Sequence, residues 1–246
     1  MEIAPGIRRL GVGLVNVYLL EDGGAVTVVD TGLPGYYEHE LPAELRAMGR
    51  SIGDIRVVLL THAHSDHLGF AEKIRARRKV PVWIHEADAA LARGETKPLR
   101  DPAGMSLGSI RPVPLLRFLA YGLVRGGLRT PPVVEVATFG DGATLDVPGS
   151  PRVIMAPGHT AGSAALVVES RDAIFAGDVI ATRSVLSGRV GPQLAPFGAD
   201  LKQAFDSLER LDGAVAGLVL PGHGEPWRDG VASALARVRD LGRPTS

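Results

Sequence analysis

Three histidines and an aspartate lie within six consecutive positions, in the stretch Thr61-His62-Ala63-His64-Ser65-Asp66-His67. The stretch directly follows the apolar run 55–60, a pattern typical of a buried strand that ends in a loop. Side chains alternate along an extended segment, so His62 and His64 would point to the same side, about 7 Å apart along the chain. A turn after Ser65 would redirect Asp66 and His67 toward a neighbouring position. Neutral imidazole and carboxylate are ligands that Zn²⁺ takes, and the stretch therefore predicts a metal site.

Three later segments repeat this arrangement, in which an apolar strand is followed by a Gly-containing turn and a residue able to bind a metal. These residues are His159, Asp178 and His223, each preceded directly by glycine. Glycine allows the backbone to approach a site closely and to adopt conformations closed to other residues. Taken alone, His159 or His223 is more simply an ordinary loop histidine. Together with the first stretch, however, five of the seven histidines follow predicted strands, which favours one shared site.

The elements that must position these residues are short strands alternating with helices. Strands are predicted at 14–20, 25–30, 55–60, 80–84, 133–138, 152–156, 164–168, 172–176 and 218–220. Helices are predicted at 36–49, 66–78, 86–93, 201–211 and 231–241, with Ser65 as a candidate N-cap. Each half of the chain thus combines hairpin strands with strand–helix units, and we expect one mixed α/β domain spanning residues 1–246.

The complete set of motifs resembles that of the metallo-β-lactamase-fold hydrolase superfamily. The motifs occur in the family's order and are Asp30-Thr31-Gly32, His62-Ala63-His64-Ser65-Asp66-His67, Pro157-Gly158-His159-Thr160, Gly177-Asp178 and Pro221-Gly222-His223-Gly224. The resemblance covers most of the chain, and the HxHxDH element is its most specific part. It implies a four-layer αββα sandwich of the α/β (α+β) class, with a dinuclear metal site at one edge of the two sheets.

The resemblance also implies a role for each matching residue. The first metal would be held by His62, His64 and His159. The second would be held by Asp66, His67 and His223, and Asp178 would bridge the two. Asp30 would orient ligands without binding metal itself; an Asx turn with no functional role is an equally good interpretation. The two cofactors would be divalent ions, with Zn²⁺ the first expectation and Fe or Mn the alternatives.

This ligand set predicts a metal-dependent hydrolase. Two adjacent cations lower the pKa of a shared water and so supply hydroxide near neutral pH. The expected substrate is a small ester, lactone or thioester, with Asp66 as the candidate catalytic residue that passes the proton to the leaving group. A serine nucleophile is not expected, because the sequence contains no GxSxG element.

Departures from known subfamilies limit the assignment of a substrate. The β-lactamases that the chain resembles use cysteine or serine where Asp178 stands, and this chain has no cysteine, so β-lactam hydrolysis is not expected. Glyoxalase II-type thioesterases and acyl-homoserine-lactone lactonases share the ligand pattern. Those enzymes often have a second histidine where this chain has Ser163. The sequence also shows no clear basic C-terminal set for binding glutathione carboxylates.

Two functions from other classes stay open. A persulfide dioxygenase-like oxidoreductase would bind a single iron through the first ligand set and perform oxygen chemistry. A non-catalytic metal-binding scaffold is the second alternative, although such proteins tend to lose ligands and none is missing here. Metal identity separates the hydrolase from the dioxygenase.

Residues 94–132 interrupt the strand–helix pattern with a segment rich in proline and glycine. The segment nevertheless contains the apolar stretch 115–124, which would form either a lid over a substrate cleft or a helix packed on the core or on a second subunit. As a lid, it would favour a substrate with an apolar or acyl portion. Phe118 and Tyr121 are the candidate substrate contacts; as an interface, the segment would support a homodimer.

The overall composition favours no polyanionic partner. Among 246 residues, 27 Lys and Arg balance 27 Asp and Glu, so net charge does not favour nucleic acid or an anionic membrane. The absence of cysteine excludes disulfides and thiolate ligands. No signal peptide and no apolar run long enough for a membrane span is evident, and a cytoplasmic protein acting on a small molecule is expected.

Overall fold

The computed structural model of the chain describes residues 1–101 and 110–244. The strands in these ranges are β1 Glu2–Ala4, β2 Ile7–Leu10, β3 Val17–Asp22, β4 Ala25–Val29, β5 Ile55–Leu59, β6 Val82–His85, β7 Ala137–Phe139, β8 Arg152–Met155, β9 Ala164–Val168, β10 Ala173–Gly177, β11 Ala181–Arg183, β12 Val190–Gln193 and β13 Leu218–Pro221. The α-helices are α1 Glu40–Ala47, α2 Ala71–Arg78, α3 Ala89–Ala92, α4 Pro112–Val124, α5 Leu201–Asp206 and α6 Gly230–Asp240.

The strands form two larger sheets and one small ribbon. The first sheet has seven strands in the order β1-β2-β3-β4-β5-β6-β7, antiparallel as far as β4 and parallel from β4 to β7. The second sheet has four strands in the order β13-β10-β9-β8, in which β10 and β13 are parallel. Strands β11 and β12 pair separately as an antiparallel ribbon.

Alternation along the strands explains how the sheets stack. In β3, Val17 and Leu19 join a core cluster that also contains residues of helices α1, α2 and α3. The intervening Tyr18 and Leu20 point the other way, into a second cluster shared with Phe175 and other residues of the four-stranded sheet. Because side chains of a strand alternate between its two faces, one sheet can bury both faces at once.

The four-stranded sheet follows the same rule. Leu166 of β9 faces the first sheet, whereas Ala165 and Val167 belong to a third cluster with helix α6 and the 3₁₀ helix at Ser207–Leu211. The order of layers is therefore helices, sheet, sheet, helices. This arrangement confirms the predicted α/β fold of the metallo-β-lactamase sandwich type.

The strand ends determine where the site lies. β5, β8, β10 and β13 each lead directly into a loop that contains a predicted ligand. β10 and β13 are parallel neighbours, so the residues that follow them emerge at the same edge of the sheet. Strand β8 runs parallel to both, so the loops after β8, β10 and β13 lie at one edge of this sheet, and the loop after β5 reaches them from the other sheet.

Two predicted elements begin later than expected. The helix predicted at 66–78 starts at Ala71, and residues 65–70 form turns, so Ser65 is not its N-cap. The turn is held by contacts outside any helix: the Leu68 amide donates to the His64 carbonyl, and the Gly69 amide donates to the Gly32 carbonyl. The strand predicted at 14–20 begins at Val17, and the missed strands β1 and β2 precede it.

Other boundaries shift by smaller amounts. The predicted helix at 201–211 ends as α5 at Asp206 and continues as a 3₁₀ helix. The predicted strand at 133–138 is the short β7, because the Val133 amide donates to the Ala92 carbonyl instead of joining the sheet. The predicted insertion 94–132 contains α4; its residues 102–109 lie outside the described ranges. Within residues 1–101 and 110–244, every helix is too short or too polar to cross a bilayer.

Candidate metal centre

The first ligand group combines two loops. His62 and His64 follow β5, and His159 follows β8; their ligand atoms all lie within 4.8 Å of one another. His64 Nδ1 and His159 Nε2 are only 2.9 Å apart. Two nitrogens on one tetrahedral Zn²⁺, each about 2.0–2.1 Å from the metal, would lie about 3.3 Å apart. The three imidazoles are therefore close to the spacing of a shared metal.

The second ligand group joins the same turn to the loop after β13. Asp66, His67 and His223 place their ligand atoms within 4.8 Å of one another. The shortest contact that the structure gives between Asp66 and His223 is 3.4 Å, from Oδ2 to Nε2. The turn after β5 and the loop after β13 thus bring their ligands together beside the first ligand group.

Asp178 lies between the two groups. Its Oδ2 atom is 3.2 Å from His159 Nε2 and 3.3 Å from His223 Nε2. Its Oδ1 atom is 3.6 Å from His67 Nε2. One carboxylate therefore contacts a member of each group.

The site passes a simple test of fit for metal ions. His62 Nε2, His67 Nε2 and Asp178 Oδ1 are buried and have no hydrogen-bond partner among the described residues. Buried polar atoms are nearly always paired, so three orphaned atoms of ligand type in one cluster require an explanation. Metal ions at these positions would satisfy these three atoms, whereas His159 Nδ1 is a fourth buried atom without a partner among the described residues.

Hydrogen bonds to the far sides of the rings fix which nitrogen faces the centre. Asp30 Oδ2 accepts from His67 Nδ1 at 2.9 Å, and Asp30 Oδ1 accepts from the Thr61 amide at 2.8 Å. His62 Nδ1 pairs with Thr61 Oγ1 at 3.1 Å, and His223 Nδ1 donates to the Leu14 carbonyl. Such partners orient a metal-binding imidazole and set its tautomer. Asp30 thus links the His67 ring to the backbone directly before His62.

Burial keeps the first group neutral. Removal from water lowers the pKa of His62 and His64, and it lowers the pKa of His159 to about 3. Neighbouring imidazoles lower the pKa of His62 and His159 further. A neutral imidazole keeps the lone pair that a metal requires.

The carboxylates of the centre stay ionised in spite of burial. Burial raises the pKa of Asp66 and Asp178, but nearby imidazoles outweigh it, so the pKa of Asp66 is lowered and that of Asp178 lies well below its ordinary value. For His67, burial lowers the pKa, yet Asp30 and Asp178 together raise it to about 10. Burial also lowers the pKa of His223, but Asp178 outweighs burial, and the net pKa of His223 is raised. The two carboxylates thus favour positive charge on the neighbouring imidazoles, and a bound cation could supply that charge in place of protons.

Close backbone approach is required at the glycines beside the ligands. A Cβ added at Gly222 would collide with Asp178 Oδ1 and would lie 2.6 Å from His67 Cε1. Gly177 has a φ of 50°, and a Cβ there would collide with the Thr61 hydroxyl. The structure thus agrees with the interpretation from the sequence that glycine allows the backbone to approach the site closely.

Sequence reasoning missed Asp88, which is 1% exposed and connects both loops of the first group. Its Oδ2 accepts from the Ala63 amide at 2.9 Å and from Thr160 Oγ1 at 2.7 Å, while Oδ1 accepts from the Gly162 amide at 2.7 Å. Ala63 lies between His62 and His64, and Thr160 follows His159. The sequence offers no signal for this role, because Asp88 is one acidic residue in a predicted helix.

Asn16 and Tyr18 were missed in the same way. Asn16 Nδ2 donates to the carbonyls of Pro221 and Gly224 at 2.9 and 2.8 Å, and the Tyr18 hydroxyl donates to the Pro221 carbonyl at 2.8 Å. These bonds hold the loop that contains His223. The sequence offered one signal for Asn16, an amide side chain within an otherwise apolar segment. An amide buried in such a segment needs hydrogen-bond partners.

Helix α4 borders the second ligand group. The Phe118 ring lies 6.0 Å from the His223 ring, centroid to centroid, in an edge-on arrangement. The Tyr121 hydroxyl lies 2.8 Å from that of Tyr36. Because the Tyr36 hydroxyl donates to the Val15 carbonyl, Tyr121 is the donor of this pair. Of the two predicted substrate contacts, Phe118 lies beside a ligand, and Tyr121 supports the helix that positions it.

Comparison with known proteins agrees with this geometry. A sequence profile of the Metallo-beta-lactamase superfamily matches residues 10–223. Probable metallo-hydrolase YybB of Bacillus subtilis is 25% identical over 211 residues, which cover 86% of this chain and 81% of YybB.

Solved structures show the same relationship. The crystal structure of a metallo-beta-lactamase family protein from Thermus thermophilus superimposes with a TM-score of 0.66 at 28% identity, covering 96% of this chain and 78% of that chain. The structure of TTHA1623 in a di-iron-bound form gives a TM-score of 0.61 at 28% identity, covering 92% of this chain and 96% of that chain. The chain belongs to the metallo-beta-lactamase superfamily.

Proposed function

We propose that the protein is a binuclear metal-dependent hydrolase of an ester, lactone or thioester that has an apolar or acyl portion. The observation that supports this most strongly is the position of Asp178, whose Oδ2 lies 3.2 Å from His159 Nε2 in one group and 3.3 Å from His223 Nε2 in the other. The name of YybB, a probable metallo-hydrolase, is consistent with hydrolysis as the reaction class.

The metal ligands would divide as expected from the motifs. His62, His64 and His159 would hold one ion, Asp66, His67 and His223 the other, with Asp178 between them. When bound, two divalent ions would lower the pKa of a shared water and polarise the substrate carbonyl. We propose Zn²⁺ as the resident metal, since imidazole and carboxylate suit it well.

Asp66 is the residue that we propose to move the proton. Burial raises the pKa of Asp66, but the surrounding imidazoles outweigh burial and lower it, so the group is ionised near neutral pH, the form in which it can take up a proton. Its side chain is 22% exposed, whereas that of Asp178 is 4% exposed. Asp66 therefore reaches toward the solvent-accessible side of the centre, where a leaving group would depart.

The apolar part of the substrate would contact α4. The Phe118 ring lies roughly perpendicular to that of His223, with 6.0 Å between the centroids, so an acyl chain beside the carbonyl would lie against an aromatic surface instead of a charged one. A β-lactam remains outside the proposal, because aspartate occupies position 178 and the chain has no cysteine.

The test is a panel of one ester, one lactone and one thioester, assayed with metal-loaded protein. His62→Ala should abolish hydrolysis and lower metal content, because it removes a buried ligand of the first group. His39→Ala is the matched control, since His39 is an exposed histidine whose side chain caps nothing. Hydrolysis that survives His62→Ala, or no hydrolysis of any member of a broad panel, would contradict the proposal.

One observation keeps a second function in view. TTHA1623 was crystallised with two irons, and its fold matches this chain with a TM-score of 0.61. Iron in the first ligand group would support persulfide dioxygenase-like chemistry instead of hydrolysis. Bound iron together with oxygen uptake on addition of a persulfide, and no hydrolysis, would favour this alternative.

A further inference from the structure

Helix α4 exposes a broad apolar face to solvent. Five of its large aliphatic side chains are between 54% and 81% exposed: Val113, Leu116, Leu119, Leu123 and Val124. Leu128, just beyond the helix, is 81% exposed as well. Isolated exposed leucines are ordinary, but a contiguous apolar patch of this size marks an interaction surface.

The opposite side of the same helix is already packed. Phe118 and Tyr121 contact the core cluster beneath them, and the Tyr121 ring lies 6.4 Å from that of Tyr36. Spacing of three and four residues places Leu116, Leu119 and Leu123 together on the other face. The helix is therefore anchored on one side by Phe118 and Tyr121 and has a second apolar face that is exposed.

Four arginines lie within α4 or close to its ends in the sequence: Arg111, Arg117, Arg125 and Arg129. Arg111, Arg117 and Arg129 make no ion pair with any residue in the described ranges, and the sequence from 102 to 134 contains no aspartate or glutamate. Arg125 is the exception, because it pairs with Glu40. The neutral net charge of the whole chain thus conceals a local excess of arginine around α4.

We propose that α4 is an interfacial helix that docks the protein on an anionic phospholipid bilayer. Leucine and valine would enter the boundary between headgroups and acyl chains, while the arginines would contact lipid phosphates, which is how basic amphipathic helices bind membranes. A second copy of the chain fits this face less well. In a symmetric pair formed through this face, residues 102–134 of each copy would supply no aspartate or glutamate to pair with the arginines of the other copy.

Docking would bring the metal centre close to the membrane surface. Phe118 of α4 lies against His223, so the helix that enters the interface also borders the second ligand group. An amphiphilic ester or thioester could then reach the centre directly from the lipid layer. This consequence rests on the proposed function, whereas the docking itself does not.

The test is co-sedimentation of the full chain with vesicles of phosphatidylcholine alone and of phosphatidylcholine mixed with phosphatidylglycerol. We expect binding only to the anionic vesicles. The triple change Leu116→Ser, Leu119→Ser and Leu123→Ser should weaken binding by about a hundredfold, since each leucine loses its burial in the acyl region. Arg117→Gln with Arg129→Gln should weaken it by about twenty-fivefold, or about fivefold for each charge.

Val190→Ser with Val215→Ser is the matched control, because both valines are at least 70% exposed and lie outside α4. This control should bind vesicles as the unmodified protein does. Absence of binding to anionic vesicles would overturn the proposal. The proposal would also be overturned if light scattering showed a dimer that the triple leucine change dissociates and the protein did not bind vesicles. Metal content and hydrolysis of a water-soluble ester should stay unchanged in the leucine variant, which separates failure of docking from failure of the proposed function.

Discussion

Asp88 offers a sharp test of how the metal centre is held, because it contacts no metal ligand and yet connects the two loops of the first group. Its three hydrogen bonds come from the Ala63 amide, the Gly162 amide and Thr160 Oγ1, at 2.7 to 2.9 Å. We predict that Asp88→Asn preserves the fold and weakens metal binding at the first position. The change alters one atom type and leaves volume almost the same.

The expected losses of unfolding free energy and of metal affinity follow from these contacts. An asparagine can direct its oxygen toward the Ala63 amide and Thr160, but its NH₂ group then faces the Gly162 amide, donor against donor. Losing one hydrogen bond to a charged group and leaving a buried amide unpaired costs about 2–3 kcal/mol of unfolding free energy. Removing a residue that supports metal ligands typically lowers metal affinity about 10–100-fold.

The assay is competition for metal with a chromogenic chelator, together with urea unfolding of the metal-free protein. Asp229→Asn is the control, because Asp229 is an exposed aspartate that makes no side-chain capping bond at the start of α6. Equal metal affinity and equal unfolding free energy in Asp88→Asn and the unmodified protein would refute the argument that Asp88 positions the two loops.

Three further predictions follow from the same centre. Gly222→Ala should eject metal, because its Cβ would collide with Asp178 Oδ1, whereas Gly213→Ala, with open space around it, should keep full metal content by elemental analysis. Metal loading at pH 8 should release protons, because the pKa of His67, about 10, keeps that ring protonated until a cation replaces the proton. Calorimetry in buffers of different ionisation enthalpy measures the number of protons released. Release of no protons would contradict the prediction. Phe118→Ala should raise KM for a long-acyl substrate more than for an acetyl substrate, and equal changes for both would exclude an acyl contact at this position.

The fold class was predictable because its signals are local. The apolar run before His62 and the turn residues after it mark the end of β5, and the same pattern marks the ends of β10 and β13. Hydrophobic alternation in the strands then requires a layer on each side. The metallo-β-lactamase-type sandwich inferred from the motifs is accordingly confirmed by the comparisons.

The parts that sequence reasoning missed depend on long-range contacts. The helix predicted from Asp66 begins at Ala71, because the backbone near Gly69 bonds to the segment around Gly32. Asp88 is 25 residues from its Ala63 partner and 74 from Gly162, and no local pattern specifies either bond. The roles assigned to the seven ligands remain predictions, although the structure places their side chains in one cluster.

The central claim is that this cluster binds two metal ions, and elemental analysis of the purified, metal-loaded chain tests it most directly. We predict two divalent ions per chain for the unmodified protein and for His39→Ala, and a loss of bound metal in both His62→Ala and His223→Ala, which alter different ligand groups. A protein that retains no divalent ion after removal of free metal, or one in which both ligand variants retain as much metal as His39→Ala, would contradict the account.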